Sequence, residues 1–139
     1  MPTGLSRNAL IETLNEFLEG ERAGARTARA FAAESDDARL TSLMRRVAKD
    51  EAWCCAMLTK HIGRLGGEAS RKTGTFFDKA LRRQGERERL EYLNKGQTWV
   101  TARLNELLPE INDRLLHRDL IMMLRTHERN IKRCEGFNP

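Results

Sequence analysis

Four side chains in this sequence have the types and positions to act together: Glu21, Glu51, Cys54 and His127. Each sits inside an apolar series with helical spacing. Glu21 falls in Leu14, Leu18, Glu21, Ala25, Ala28; Glu51 and Cys54 in Val47, Glu51, Cys54, Leu58; His127 in Leu124, His127, Ile131. A neutral amide, Gln97, interrupts Leu93, Gln97, Val100 in the same way. Steps of three and four residues place side chains on one helix face, and the apolar neighbours point that face inward. Two carboxylates buried level with each other repel unless a proton or a positive charge lies between them. A metal ion supplies that charge, and carboxylate, imidazole and thiolate are all metal ligands. The alternative is a buried hydrogen-bond network of Glu21 and Glu51 with His127 or Gln97, with room for one shared proton.

The elements that must position these groups are helices. The chain has only three prolines, at 2, 109 and 139, so little interrupts a helix, and strand-like alternation is missing. The first long helix is expected over about 8–34, capped by Ser6 or Asn8, with the stripe Leu10, Leu14, Phe17, Leu18, Ala25, Ala28 and Phe31. A second follows Ser35-Asp36-Asp37, with Ser35 as cap, and carries Leu40, Leu43, Val47, Cys54, Leu58, Ile62 and Leu65 before Gly66-Gly67 stops it. Residues 67–85 form a polar connection with a short helical patch, Phe76 to Arg82. The third long helix spans about 86–110 with Leu90, Leu93, Val100, Leu104 and Leu107. The fourth follows Asn112-Asp113, carries Leu116, Leu120, Leu124, Ile131 and Cys134, and ends at Gly136.

Short connections make the first and second helices one antiparallel hairpin and the third and fourth another. The connection between the hairpins is about 19 residues and spans ~60 Å when extended, at ~3.3 Å per residue. A 25-residue helix is ~37 Å long, at ~1.5 Å per residue. The connection therefore reaches across the whole bundle, and the third helix should run parallel to the second. Counted from the two hairpin turns, Glu21, Glu51, Gln97 and His127 each lie about 15 residues away, so all four sit level near mid-bundle.

The remaining chemistry-bearing residues read as structural. Adjacent Cys54 and Cys55 cannot both face the core. His61 is two turns past Cys54, too far to join the layer, and His117 is expected at the surface. Trp53 and Trp99 flank the layer and are expected in core or interface packing. There is no glycine-rich phosphate loop, no GxSxG and no CxxC. With 139 residues, 40% hydrophobic and 32% charged, the chain fits a single domain over 1–139. Its longest apolar run, Ala52 to Leu58, is too short for a membrane span. No apolar leader and three cysteines outside any disulfide framework suggest a cytoplasmic protein. The net charge of +5 is spread among acids, which makes nucleic acid an unlikely partner.

Around Leu18-Glu19-Gly20-Glu21-Arg22-Ala23-Gly24 and His127-Glu128-Arg129-Asn130-Ile131 the sequence resembles the ferritin-like superfamily of di-iron carboxylate proteins, near uncharacterised bacterial domains related to rubrerythrins. The resemblance implies an all-α, ferritin-like four-helix bundle whose long crossover holds a short helix. That family takes one Glu from each of two helices and Glu-x-x-His from each of the other two. On this pattern Glu21 matches the first-helix carboxylate. Glu51-Ala52-Trp53-Cys54 stands for Glu-x-x-His with Cys54 in the histidine slot. Gln97, or Asn94 one turn earlier, stands for the third-helix glutamate. The fourth helix offers Leu124-Arg125-Thr126-His127 or, one residue on, Glu128-Arg129-Asn130-Ile131. The motif is degenerate, keeping Glu21, Glu51 and His127, and with Cys54 they suit one iron or zinc ion better than a bridged pair. The expected function is redox chemistry or metal handling at that ion. The alternative is a non-catalytic, homodimeric helical scaffold. No residue is assigned a catalytic role.

Overall fold

The computed structural model describes residues 5–137; Pro2 and Pro139 lie outside that range, as does most of the N-terminal stretch in which no leader was expected. Five α-helices are present among the described residues: α1 (Arg7–Glu34), α2 (Ala38–Arg64), α3 (Phe76–Leu81), α4 (Glu86–Leu107) and α5 (Arg114–Glu135), with a 3-10 turn at Leu108–Glu110. The expected third helix to residue 110 thus ends as α-helix at Leu107, and Pro109 sits in the tighter turn that follows. No helix among the described residues is long and apolar enough to cross a membrane.

The starts of α1, α2 and α5 follow from side-chain capping of free backbone N–H groups, each cap being worth ~1 kcal/mol. Ser6 Oγ accepts from Ala9 N–H at 3.1 Å and opens α1. Asp113 Oδ1 accepts from Leu116 N–H at 3.0 Å and opens α5. For α2 the cap is Asp37, which accepts from Arg39 N–H at 2.9 Å, and not Ser35 as expected. Ser35 instead closes α1, donating its backbone N–H to the Phe31 carbonyl, while its hydroxyl accepts from Asp37 N–H. Gly66 stops α2 at a φ of +84°, a left-handed conformation that side chains rarely adopt.

The direction of the second hairpin is recorded at its ends. Glu86 and Arg89, at the start of α4, meet Ser35 and Glu34 at the α1–α2 turn. Arg64, at the end of α2, meets Asp113 at the start of α5, 3.1 Å apart. Helix α4 therefore runs parallel to α2, and the crossover traverses the bundle. Side chains of α1 guide it. Asn15 donates to the Glu68 carbonyl and accepts from Ser70 N–H, Ser70 donates to Glu19 at 2.6 Å, and Arg22 donates to the Lys72 carbonyl at 2.7 Å. The result is an all-α, ferritin-like arrangement: two hairpins joined by a long crossover that contains a short helix.

The apolar core falls into two clusters. One gathers Leu14, Phe17, Leu18, Leu58, Ile62, Leu104, Leu116, Leu120 and Met123. The other gathers Ala28, Phe31, Leu40, Met44, Val47, Leu90 and Leu93. On every long helix one buried polar residue comes between the two: Glu21 on α1, Glu51 on α2, Gln97 on α4, and His127 on α5. Helix α5 is rotated slightly from the expected stripe. Met123 and Asn130 are buried, while Leu124 and Ile131 are only partly so. Trp53 and Trp99 are not core residues, being 40% and 49% exposed. Each adjoins a buried position, Cys54 or Val100, and so projects about 100° away from the core direction. His117 is half-buried rather than exposed.

Candidate metal centre

The polar layer brings together Glu21 from α1, Cys54 from α2 and His127 from α5, and one ligand atom from each lies within 4.8 Å of the others. All three are buried, at 1%, 0% and 1% exposure. The choice between His127 and Glu128 falls to His127; Glu128 is exposed. Gln97 rather than Asn94 is the α4 residue in the layer, 2% exposed, with Asn94 half-buried and accepting from the Gln97 amide at 3.1 Å.

The histidine geometry is informative. His127 Nδ1 is 2.8 Å from the Met123 carbonyl, an acceptor only, so Nδ1 carries a hydrogen and donates it. Nε2 then faces the Glu21 carboxylate, 2.9 Å from one oxygen and 3.1 Å from the other. In the neutral ring Nε2 would present a lone pair to an anion. Two occupants relieve that clash, a second ring proton or a cation. With no cation bound, the proton takes the place. Burial pulls the His127 pKa down, but the charge and hydrogen bond of Glu21, helped by Glu51 and the Met123 carbonyl, carry it up to about 9.

His61 makes the contrast. It is also fully buried, yet Arg64 donates to its Nδ1 at 2.7 Å and its Nε2 N–H donates to Asp119 at 2.8 Å. Both nitrogens are used, so His61 ties α2 to α5 as a neutral ring and leaves no position for a ligand. Asp119 is held below its ordinary pKa: burial opposes this, and the hydrogen bond from His61 with the Arg118 charge overcomes it.

Cys54 contributes a thiol whose pKa is raised well above normal by burial, then by the charges of Glu21 and Glu51. Glu51 lies beside the cluster and not within it. Its pKa is raised well above the ordinary carboxylate value, first by burial and then by the Glu21 charge, which outweigh the opposing charge of His127. Its carboxyl packs on the backbone of Gly24, where a Cβ would stand 2.5 Å from Oε2. A glycine inside a long helix costs ~1 kcal/mol relative to alanine, and room for this carboxyl is the reason for it. Sequence reasoning assigned Gly24 no role, although a mid-helix glycine was the available signal. It also missed the Asp119 partner of His61.

These donors suit one divalent ion. Tetrahedral zinc with bonds of ~2.0–2.3 Å sets its ligand atoms ~3.5 Å apart, a modest contraction from the observed spread. The backbone carbonyl behind His127 is the outer partner that histidine ligands ordinarily have. Glutamate and thiolate together carry the two negative charges that balance a dication.

Fold and polar layer define an all-α, ferritin-like bundle with a candidate Glu–Cys–His metal cluster at its centre. The chain belongs to the family described as domain of unknown function DUF6306, whose profile matches residues 8–136. Its fold is similar to a crystal structure of a ferritin-like, diiron-carboxylate protein from Bacillus anthracis strain Ames. The two are 23% identical, with a TM-score of 0.79, over 94% of this chain and 97% of that one. No curated protein sequence matches this chain.

Proposed function

We propose that this protein is a ferritin-like protein that holds a single zinc or ferrous ion on Glu21, Cys54 and His127, for metal handling or redox chemistry. The observation that carries the reading is His127 Nε2, aimed at Glu21 by an Nδ1 hydrogen bond that leaves it only a proton or a cation to bind. A bridged iron pair of the ferritin type does not suit this donor set. Its remaining positions hold Gln97, Leu124 and Cys54 where carboxylates and a histidine are needed, so the di-iron motif is degenerate. When bound, the ion would supply Lewis acidity and, as iron, a redox couple. The chain's own groups orient and neutralise it. Met123 fixes the ring tautomer, Cys54 must give up its proton, and Glu51 stands alongside as a neutral acid. Because Cys54 and His127 both lose protons on loading, uptake releases protons and strengthens with pH.

Elemental analysis of purified protein tests the reading. About one zinc or iron per chain is expected, and it should be lost in Cys54→Ala and in His127→Ala. No metal in the wild type, and no stabilisation by added divalent ions, favours the scaffold alternative, for which a protonated His127–Glu21 pair suffices.

A further inference from the structure

In chain order Lys and Arg alternate with acids, the pattern that speaks against nucleic acid, but the fold separates them. Helices α2 and α5 together carry twelve Lys and Arg against five Asp and Glu, whereas α1 and α4 carry eight against nine. Helices α2 and α5 are neighbours. Arg64 meets Asp113, His61 meets Asp119, and Asn130 donates to Asp50 along their antiparallel seam. The crossover helix α3 packs on α1 and α4, on the opposite side.

The outer side of the seam is basic. On α2, Arg46, Trp53 and Lys60 recur every seven residues with Lys49 beside them. On α5, Arg118, Met122, Arg125, Arg129 and Arg133 recur every three or four, and all these side chains are exposed. Trp53 and Arg129 each adjoin a buried residue, Cys54 or Asn130, and at ~100° per residue turn out of the core beside the seam. Of the five acids, Glu51 and Asp119 are buried and Asp50 holds Asn130. Glu128 lies ~100° round α5 from Arg129, away from α2, and Glu135 is two turns further on. No carboxylate among the described residues pairs with Arg46, Lys49, Lys60, Arg125, Arg129 or Arg133; Arg129 and Arg133 donate to the neutral Thr126 and Asn130. Trp53 is 40% exposed, with no ring or cation against it among the described residues. Trp99, in contrast, packs on Phe17 and carries Arg103 over its ring.

We propose that the α2–α5 face binds single-stranded nucleic acid, with phosphates on its arginines and lysines and a base stacked on Trp53. Unpaired guanidinium groups are planar, two-pronged phosphate donors. A positive track with a free aromatic ring suits a single strand, whose bases are available to stack on protein. A second copy of the chain does not fit, because this face against itself apposes like charges. A bilayer fits less well. A membrane-surface helix keeps apolar and basic residues on separate faces, and here Trp53 and Met122 share theirs with the charges. The proposal does not depend on metal at Glu21, Cys54 and His127.

The test uses the full chain with Trp99→Phe, which leaves Trp53 as the only tryptophan, in the presence of chelator. It is titrated with single-stranded DNA of ~20 nucleotides, longer than the ~4–16 that one domain covers. Trp53 fluorescence should be quenched to saturation. Contact with about five phosphates should give log K against log salt a slope of about −3.5, at ~0.7 per phosphate. Labelled DNA, followed by anisotropy, compares variants. Arg46→Gln/Lys49→Gln/Arg129→Gln/Arg133→Gln should bind at least tenfold more weakly with a shallower slope. Arg71→Gln/Lys72→Gln/Lys79→Gln/Arg82→Gln removes the same charge from the crossover and should stay within twofold of its parent. Trp53→Ala should lose at least fivefold. A duplex of the same length, polyglutamate and phosphatidylserine vesicles should each bind more weakly than the single strand. The proposal is overturned by absence of saturable binding at low salt, by equal losses in the two quadruple variants, by unchanged affinity in Trp53→Ala, or by any of the three competitors binding as tightly.

Discussion

Raising the pH of the metal-free protein from 6 to 9 should remove a large part of its stability, and the His127–Glu21 pair sets the amount. The His127 pKa is about 9 in the folded state against an ordinary value of 6.5. A group whose folded pKa is raised contributes fully below its unfolded value, and the contribution fades as pH rises through the folded value. At ~1.36 kcal/mol per pKa unit the pair is worth about 3 kcal/mol at pH 6, nearly all of it lost by pH 9. The ring is 1% exposed, so solvent screening does not reduce this. For a domain of this size the loss corresponds to ~10 °C in melting temperature. Glu51, also raised, acts in the same direction from lower pH upward. The falling net charge acts oppositely and equally on any neutral replacement. Urea unfolding with chelator across this range should therefore be compared with the double variant Glu21→Gln/His127→Gln, which keeps a hydrogen-bonding pair without the charges. Wild type should lose about 3 kcal/mol more than the variant. Parallel profiles would refute the assignment of a proton to His127 Nε2.

Gly24→Ala should destabilise by about 1–3 kcal/mol despite alanine's better helix propensity, because its Cβ meets the Glu51 carboxyl; denaturant midpoints measure it. Without metal, Glu51→Leu should leave the melting temperature unchanged or raise it, since a buried acid with one unpaired oxygen gives way to an apolar side chain. Asp119→Ala should cost about 2–3 kcal/mol by stranding His61, and leave zinc stoichiometry unchanged, because that latch lies outside the cluster. Zinc at a hundred times its dissociation constant should stabilise wild type by ~2.7 kcal/mol, with no such gain in Cys54→Ala.

The helices and their order were legible because apolar spacing and caps act locally. Their pairing was legible because one connection is long enough to cross a bundle and two are too short for anything but hairpins. The level of the polar layer followed from counting residues from the turns, and Glu21, Glu51, Gln97 and His127 all meet that expectation. What spacing could not resolve is rotation finer than one residue. The inward face of α5 includes Met123 and Asn130 rather than Leu124 and Ile131, and the two tryptophans turn outward. Nor could spacing give distances across the core. Glu21, Cys54 and His127 converge while Glu51, equally buried, stands aside on Gly24. The Asp119 partner of His61 was invisible because it depends on contact between the end of α2 and the first turns of α5.

Cobalt(II) titration of the metal-free protein, followed by absorption, tests the central claim most directly, since cobalt substitutes for zinc and reports its ligands. One equivalent should give intense visible bands of a four-coordinate ion and a near-ultraviolet thiolate-to-cobalt charge-transfer band. The charge-transfer band should vanish in Cys54→Ala, and both features should weaken in His127→Ala and Glu21→Ala. No cobalt uptake, or a weak octahedral spectrum that Cys54→Ala leaves unchanged, would contradict a metal centre on these three residues.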